Sequence, residues 1–292
     1  MKVCVYSPIQ AHSIRRITNA LAAHVPAGVE VVASRDEADV VVHTLVGVQN
    51  FDTMPIDQLV AAEVARGQRY AMVQCCLAST ENSSADFWHP LWSGAAAVWS
   101  YLPSVVDLIR SSNLLFRPLG ADQTVFRRYA TQARPITMLT TGYVAESEGV
   151  SEASEAVRRM GGWHVHVGPN LNFGDHVTSV MGISDEDLAS LYRRSKYVAG
   201  LRRCEGFELP AAEGLLCGAR PIMFDAPHYR AWFKDWAVFV PEGDAERVTT
   251  HIHHILSQDA VAPVSTEESQ SAAALFHWPT LVREFWEMVG IR

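Results

Sequence analysis

Short apolar runs alternate with amphipathic stretches along the first part of the chain. Lys2 to Ser7 is an apolar run typical of a strand, and Ser13 to His24 carries apolar residues at helical spacing. Further β-rich runs are Val29 to Ala33, Ala38 to Leu45, Tyr70 to Cys76 and Ala95 to Ser100. Apolar strands separated by polar or helical stretches are typical of a parallel sheet covered by helices, so the pattern predicts a first α/β domain.

The pattern changes between Arg117 and Arg134, where Pro and Gly interrupt a segment rich in arginine. Such punctuation is typical of a connection between domains. We therefore expect one domain over residues 1–130 and a second over 131–277, with the helix of 278–292 completing the first.

A second alternating series follows this connection. Its predicted strands are Ile136 to Thr141, Trp163 to Val167, Tyr197 to Leu201, Arg220 to Phe224 and Ala237 to Val240. Its predicted helices are Ser151 to Met160, Asp185 to Arg194, Pro210 to Leu216 and Ala245 to Leu256. Ser184 is expected to cap the second of these helices, which explains the acidic residues after it without a metal. Gln258 to Ser271 is polar and predicts a surface connection before a last helix, Pro279 to Val289.

Composition narrows the function classes. The chain has 292 residues, 48% of them hydrophobic, enough for two compact domains. No apolar run is long enough to span a membrane and no signal-peptide pattern is present, so we expect a cytoplasmic protein without integral membrane association. Five scattered cysteines predict reduced thiols rather than a disulfide framework or a zinc site. A net charge of −8 disfavours a protein that grips nucleic-acid backbones over a large area.

The stretch from Cys204 to Gly218 carries the clearest candidate chemistry. It reads CEGFELPAAEGLLCG, follows a predicted strand and opens a helix. Backbone N–H groups at a helix N-terminus can bind a diphosphate, and Gly206 allows a ligand to approach closely. Glu205 and Glu213 flank this loop, and carboxylates accept hydrogen bonds from sugar and ribose hydroxyls. Two glutamates in the first turns of a helix could equally be structural.

The whole stretch resembles the signature of glycosyltransferase family 4, in which a glutamate is followed after seven residues by a second one. Gly206, Phe207, Leu209, Pro210 and Gly218 take part in the match. Further similar segments are Phe116 to Asp122 with Phe126, Thr141 to Tyr143 with Glu148 and Gly149, Val167 with Gly168, Gly182 to Leu188 with Leu191 and Tyr192, and Phe276 to Trp278. The resemblance covers the second half well and the first half in outline. It implies a retaining enzyme of the GT-B fold, in which two Rossmann-like doubly wound domains face a cleft.

The resemblance also implies residue roles. Glu205 would contact the donor sugar as a catalytic residue, and Glu213 would hold the ribose hydroxyls. The backbone of Gly206, Phe207 and Glu208, with Leu209 beside them, would meet the diphosphate or sugar. The implied donor is a nucleoside diphosphate sugar, UDP- or GDP-linked, used without a metal or other cofactor.

The second half differs from the family pattern at two positions that face the diphosphate in the family. The family has Arg after the Gly of the first strand of this domain and Lys a few residues later, whereas this chain has Tyr143 after Gly142, and Glu148. Cations at such a site stabilise the charge on the leaving group. We expect Arg202 or Arg203 to substitute, although both could instead be a solvated strand end.

The first half departs as well, because the loop after the first strand contains no glycine. His12 and Ser13 lie where a strand meets a helix, so they are candidates for acceptor contacts. The family's catalytic histidine follows a middle strand, and that place holds Cys75 and Cys76. His43, predicted at the end of the strand Val40 to His43, is an alternative, although a lone histidine there is more often structural.

The sequence therefore predicts transfer of a hexose-type sugar to an unidentified acceptor, which could be a small molecule, a glycan or a modified nucleic acid base. The alternative is a non-catalytic nucleotide- or sugar-binding protein on a degenerate GT-B scaffold, suggested by Tyr143 and Glu148. The oligomeric state is not specified by these patterns.

Overall fold

The computed structural model describes residues 1–7, 12–46, 56–76, 85–109, 112–129, 133–145, 147–203, 206–258 and 263–291. The chain divides into two compact units. Unit 1 contains Met1–Leu119, Glu205–Phe207 and Trp278–Arg292, and unit 2 contains Gly120–Cys204 and Glu208–His277. The division thus falls after Leu119, whereas the sequence suggested a boundary at residue 130.

Unit 1 is built on a parallel six-stranded sheet of order β2-β1-β3-β4-β5-β6. Its strands are β1 (Lys2–Tyr6), β2 (Glu30–Val31), β3 (Val40–Val46), β4 (Arg69–Cys76), β5 (Val98–Ser100) and β6 (Leu114–Phe116). Its first helices are α1 (His12–Ala23), α2 (Ile56–Ala65), α3 (Ala85–Gly94) and α4 (Pro103–Leu108), with a 3₁₀ turn at Arg35–Glu37. Val41, Val42, Ala71 and Met72 are fully buried in the central strands, as expected for a sheet covered on both faces.

Unit 2 repeats this architecture with a parallel sheet of order β12-β11-β10-β7-β8-β9. Its strands are β7 (Ile136–Thr141), β8 (His164–Val167), β9 (Val177–Val180), β10 (Ser195–Gly200), β11 (Arg220–Phe224) and β12 (Val238–Val240). Its helices are α5 (Val150–Arg159), α6 (Asp185–Arg194), α7 (Leu209–Leu216), α8 (Pro227–Phe233), α9 (Ala245–Ser257) and α10 (Thr266–Leu275). The predicted α/β class with two Rossmann-like halves is confirmed.

The last helix, α11 (Trp278–Val289), belongs to unit 1. It buries Trp286, whose indole N–H donates to the carbonyl of Leu21 in α1. The pairing of Trp286 with the first helix ties the end of the chain to its beginning, because a buried indole N–H needs an acceptor.

Capping residues fix three helix starts of unit 2. The side chains of Ser184, Asp244 and Ser265 accept hydrogen bonds from backbone N–H groups of α6, α9 and α10. The prediction for Ser184 is confirmed. The expectation of a surface connection over Gln258–Ser271 is wrong for its second part, because Ser265 and Glu268 form a capping box that starts α10.

Candidate functional site

The carboxyl ends of β7 and β10 lie side by side in unit 2 at the point where the strand order reverses. From β7 the chain adds β8 and β9 on one side, and β10 to β12 on the other. Ligands of open α/β sheets bind outside the carboxyl ends of the strands at such a reversal. The loops that begin at Gly142 and Leu201 are therefore the expected place for a ligand.

The loop after β7 is closed by the side chain of Glu148. Its Oε2 atom accepts from the backbone N–H of Tyr143, at 2.5 Å, and of Val144, at 2.6 Å. A Cβ atom on Gly142 would lie 2.2 Å from the same oxygen. Only glycine leaves room for this approach, so Gly142 and Glu148 form one structural unit.

Arg202, in the loop after β10, joins Glu148 to Glu208. Its Nε lies 3.1 Å from Glu148 Oε1, and its Nη1 lies 2.6 Å from Glu208 Oε2. Its Nη2 donates to the carbonyl oxygen of Thr141 at the end of β7, at 3.0 Å. The guanidinium is thus fixed between the two loops with a charged partner on each side.

Glu208 precedes α7 and is completely buried. The hydroxyl of Tyr229 in α8 lies 3.2 Å from its Oε1 and 3.0 Å from the carbonyl oxygen of Arg202, and its single hydrogen can serve one acceptor at a time. Burial raises the pKa of the Glu208 carboxyl, against the opposing effect of the Arg202 guanidinium. The side chain of Glu208 is therefore part of the interior of unit 2, whereas the sequence assigned its backbone to a ligand.

Arg203 also has charged partners. Its Nη2 lies 2.6 Å from Oε1 of the buried Glu152 in α5, its Nε lies 3.8 Å from Glu242, and its guanidinium carbon lies 5.0 Å from the ring centre of Phe224. Both arginines expected to replace the family's cations are thus already paired with carboxylates. Whether either one meets a diphosphate stays a prediction.

Glu213 lies in α7 with 1% of its surface exposed. The Tyr192 hydroxyl donates to its Oε2 at 3.4 Å. Its neighbour Gly214 lets α7 approach β10 closely, because a Cβ there would lie 2.6 Å from Val198 Cγ1. The Glu213 carboxylate is thus buried in contact with Tyr192 of α6, and its expected contact with ribose hydroxyls stays a prediction.

The remaining residues of the glutamate motif divide between the units. Glu205 lies outside the described residues. Gly206 and Phe207 group with unit 1, and Leu209 begins α7 in unit 2. Their predicted donor contacts are not tested by this geometry.

The two histidine candidates lie in unit 1. His12 begins α1, and its side chain lies outside the described part of the structure. His43 is fully buried, with its ring against those of Tyr6 and Tyr70, and neither ring nitrogen has a hydrogen-bond partner among the described residues. The prediction that His43 ends its strand is wrong, because β3 continues to Val46. Burial lowers its pKa to about 4, so the imidazole is neutral at pH 7.

The sequence analysis did not identify a buried hydrogen-bonded cluster that joins β7 to β8. The Thr140 hydroxyl in β7 lies 2.8 Å from His164 Nε2 and 2.9 Å from His166 Nδ1. The hydroxyl carries one hydrogen, so at least one imidazole donates to it. The signal was the alternation of His164 and His166 in a strand, which places both rings on one face.

No cluster of three or more potential metal-binding side chains occurs among the residues that the structure describes. Within the same residues, every helix is too short or too polar to cross a membrane.

Solved structures with a similar fold include glycosyltransferases. Sucrose-phosphate synthase from Thermosynechococcus elongatus matches with a TM-score of 0.70 and 14% identity, over 98% of this chain and 97% of that one. A glycosyltransferase involved in avilamycin A biosynthesis matches at 0.69 and 14%, over 99% and 96%. The pneumococcal O-GlcNAc transferase GtfA, in complex with UDP and GlcNAc, matches at 0.64 and 13%, over 86% of this chain and 56% of that one.

These matches show the fold, which is that of the GT-B glycosyltransferases, with two parallel α/β units. The sequence matches no protein-family model, and no curated protein sequence matches it.

Proposed function

We propose that the chain is a retaining glycosyltransferase related to family 4, which moves a hexose from a nucleoside diphosphate to an acceptor hydroxyl. The observation that carries the proposal is the GT-B fold, shared over nearly the full length of two glycosyltransferases. Fold alone does not fix an activity. The glutamate motif at the start of α7 and the charged groups between β7 and β10 supply the site-level support.

In this proposal the donor binds unit 2. The N–H groups at the start of α7 receive the diphosphate, and Glu213 receives the ribose hydroxyls. Glu205 contacts the transferred sugar. UDP is the first donor nucleotide to test, since the similar structure of GtfA contains it. No metal takes part in the proposed reaction, because N–H groups and arginine can hold the diphosphate charge.

In unit 1, His12 is the proposed contact for the acceptor, because it begins α1 directly after the loop that follows β1. His43 has no role in the proposal. Its neutral ring is completely buried between β1 and β4.

Nucleotide binding is the first test. Thermal denaturation would be followed with UDP, GDP and ADP, and the matching nucleotide at a hundred times its Kd should add about 2.7 kcal/mol of stability. Glu213→Gln should reduce this gain, whereas Glu246→Gln, an exposed change in α9, should leave it intact. Absence of stabilisation by all three nucleotides would contradict the proposal.

A second candidate function is a non-catalytic nucleotide- or sugar-binding protein on the same fold. It is favoured by the pairing of Arg202 and Arg203 with Glu148, Glu208 and Glu152, which leaves their charges compensated. Donor hydrolysis separates the two candidates. The enzyme should release nucleoside diphosphate from its donor and Glu205→Gln should abolish the release, whereas the binding protein should bind without turnover.

A further inference from the structure

Three hydrogen-bond donors converge on the Glu148 carboxylate. The N–H groups of Tyr143 and Val144 meet Oε2, and Arg202 Nε meets Oε1 at 3.1 Å. We name these donors the β7 cradle. Consecutive backbone N–H groups combined with an arginine are the set that proteins use to bind phosphate oxygens. The cradle therefore has the hydrogen-bond donors of an oxyanion-binding site, and the oxyanion that they bind is the protein's own Glu148 carboxylate.

Groups other than Glu148 hold two parts of the cradle. Arg202 is fixed by Glu208 and by the carbonyl oxygen of Thr141. The N–H of Gly142 donates to the carbonyl of Val167 in β8, which anchors the start of the loop that bears Tyr143 and Val144. These contacts do not involve the Glu148 side chain, so they persist if that side chain turns away.

The cradle is near solvent. The Glu148 side chain is 17% exposed, and Tyr143 and Val144 are 71% and 56% exposed. A carboxylate at this depth can exchange with water or with a competing anion, unlike the completely buried Glu208.

We propose that Glu148 is an internal competitor for an oxyanion ligand, and that the β7 cradle takes a phosphate group when the Glu148 carboxylate leaves. The assignment of that phosphate to the diphosphate of the donor rests on the proposed function. Glu148 stands where the family has a lysine, and it lowers the affinity for the nucleotide sugar, whereas a lysine would raise it. The reason is that the carboxylate and the phosphate group compete for the same hydrogen-bond donors.

The competing explanation is that Glu148 only fastens the loop between β7 and α5. In that case removing the carboxylate loosens the loop and creates no anion site. Removal of the Glu148 carboxylate should raise the affinity for a simple anion under the proposal, whereas it should bring no gain under the competing explanation.

The test is calorimetric titration of inorganic pyrophosphate into the full chain and its variants. Glu148→Ala should bind about tenfold more tightly than the original chain, since it removes a competing carboxylate that accepts three hydrogen bonds. Glu148→Gln should lie between them, because its amide oxygen still accepts from the two N–H groups without carrying charge. The control is Glu155→Gln, which removes the same charge from a partly exposed position of α5 and should leave the affinity unchanged.

Equal affinity for the original chain and Glu148→Ala would overturn the proposal. So would an equal gain in Glu155→Gln, which would reflect net charge alone. Should Glu148→Ala lose its native near-ultraviolet circular dichroism, Glu148→Gln decides the question, and no gain there overturns the proposal. The readout needs no sugar transfer, so tighter pyrophosphate binding without transferase activity supports the cradle while contradicting the proposed function.

Discussion

Replacing Arg202 with methionine should destabilise unit 2 strongly. The change keeps much of the apolar stem and removes the guanidinium, whose Nη1 lies 2.6 Å from the fully buried Oε2 of Glu208. Breaking a buried ion pair by removing one partner costs about 3–5 kcal/mol, because the other charge is left uncompensated. We expect a loss of that size near pH 8.

The loss should depend on pH. Burial already raises the pKa of Glu208 with Arg202 in place, and without the guanidinium that pKa rises further. A carboxyl whose pKa is raised by folding contributes stability below its unfolded pKa of about 4.3, and this contribution disappears as the pH rises through the folded pKa. Arg202→Met should therefore cost less near pH 5 than near pH 8.

Urea denaturation followed by tryptophan fluorescence at both pH values measures these differences. Arg158→Met is the matched control, because Arg158 forms an exposed pair in the same unit and its loss should have no measurable effect. The double variant Arg202→Met with Glu208→Gln should recover part of the stability by removing the orphaned charge. A cost for Arg202→Met equal to that of the control, or a cost independent of pH, would refute the reasoning.

Two further predictions concern stability. Unit 2 should become less stable as the pH falls from about 6.5, the ordinary pKa of histidine, towards 3, because burial lowers the pKa of His164 to about 3 and the unfolded chain binds the proton first. His164→Leu should flatten this part of the profile in urea denaturation at a series of pH values, and an unchanged profile would contradict the assignment. Gly218→Ala should cost more than Gly161→Ala in the same assay. Both glycines have positive φ, at +90° and +67°, but only the first Cβ would meet Arg134 Nη2, at 2.4 Å, while nothing lies within 4 Å of the second. Strain at positive φ alone costs about 1 kcal/mol, so equal costs would show that the Arg134 contact is unimportant.

The alternation of elements could be predicted because most strands are apolar throughout and the helices are amphipathic. Helix α10 could not be predicted by the same means, since only Ser269 and Ala272 are buried within it. Its start was nevertheless encoded by Ser265 and Glu268, a spacing that predicts a capping box. Strand β9 was not predicted from the sequence, because Val177–Val180 is only partly buried and its hydrophobic pattern is therefore weak.

The site was predictable only in part. The strand-to-helix loop before α7 follows from local sequence, and so does the absence of Arg and Lys at Tyr143 and Glu148. The pairing of Glu148 with Arg202 does not, because it depends on β7 and β10 being neighbours although they are distant in sequence. The end of β3 was misplaced at His43, since periodicity does not show where a strand ends.

The anomeric form of the released sugar tests the proposed retaining transfer from a nucleoside diphosphate donor. Proton NMR would follow hydrolysis of UDP- and GDP-sugars by the purified chain, with Glu205→Gln measured in parallel. We expect the sugar first formed to keep the anomeric configuration of the donor, and Glu205→Gln to abolish its release. First formation of the opposite anomer, or release that is unchanged in Glu205→Gln, would contradict it.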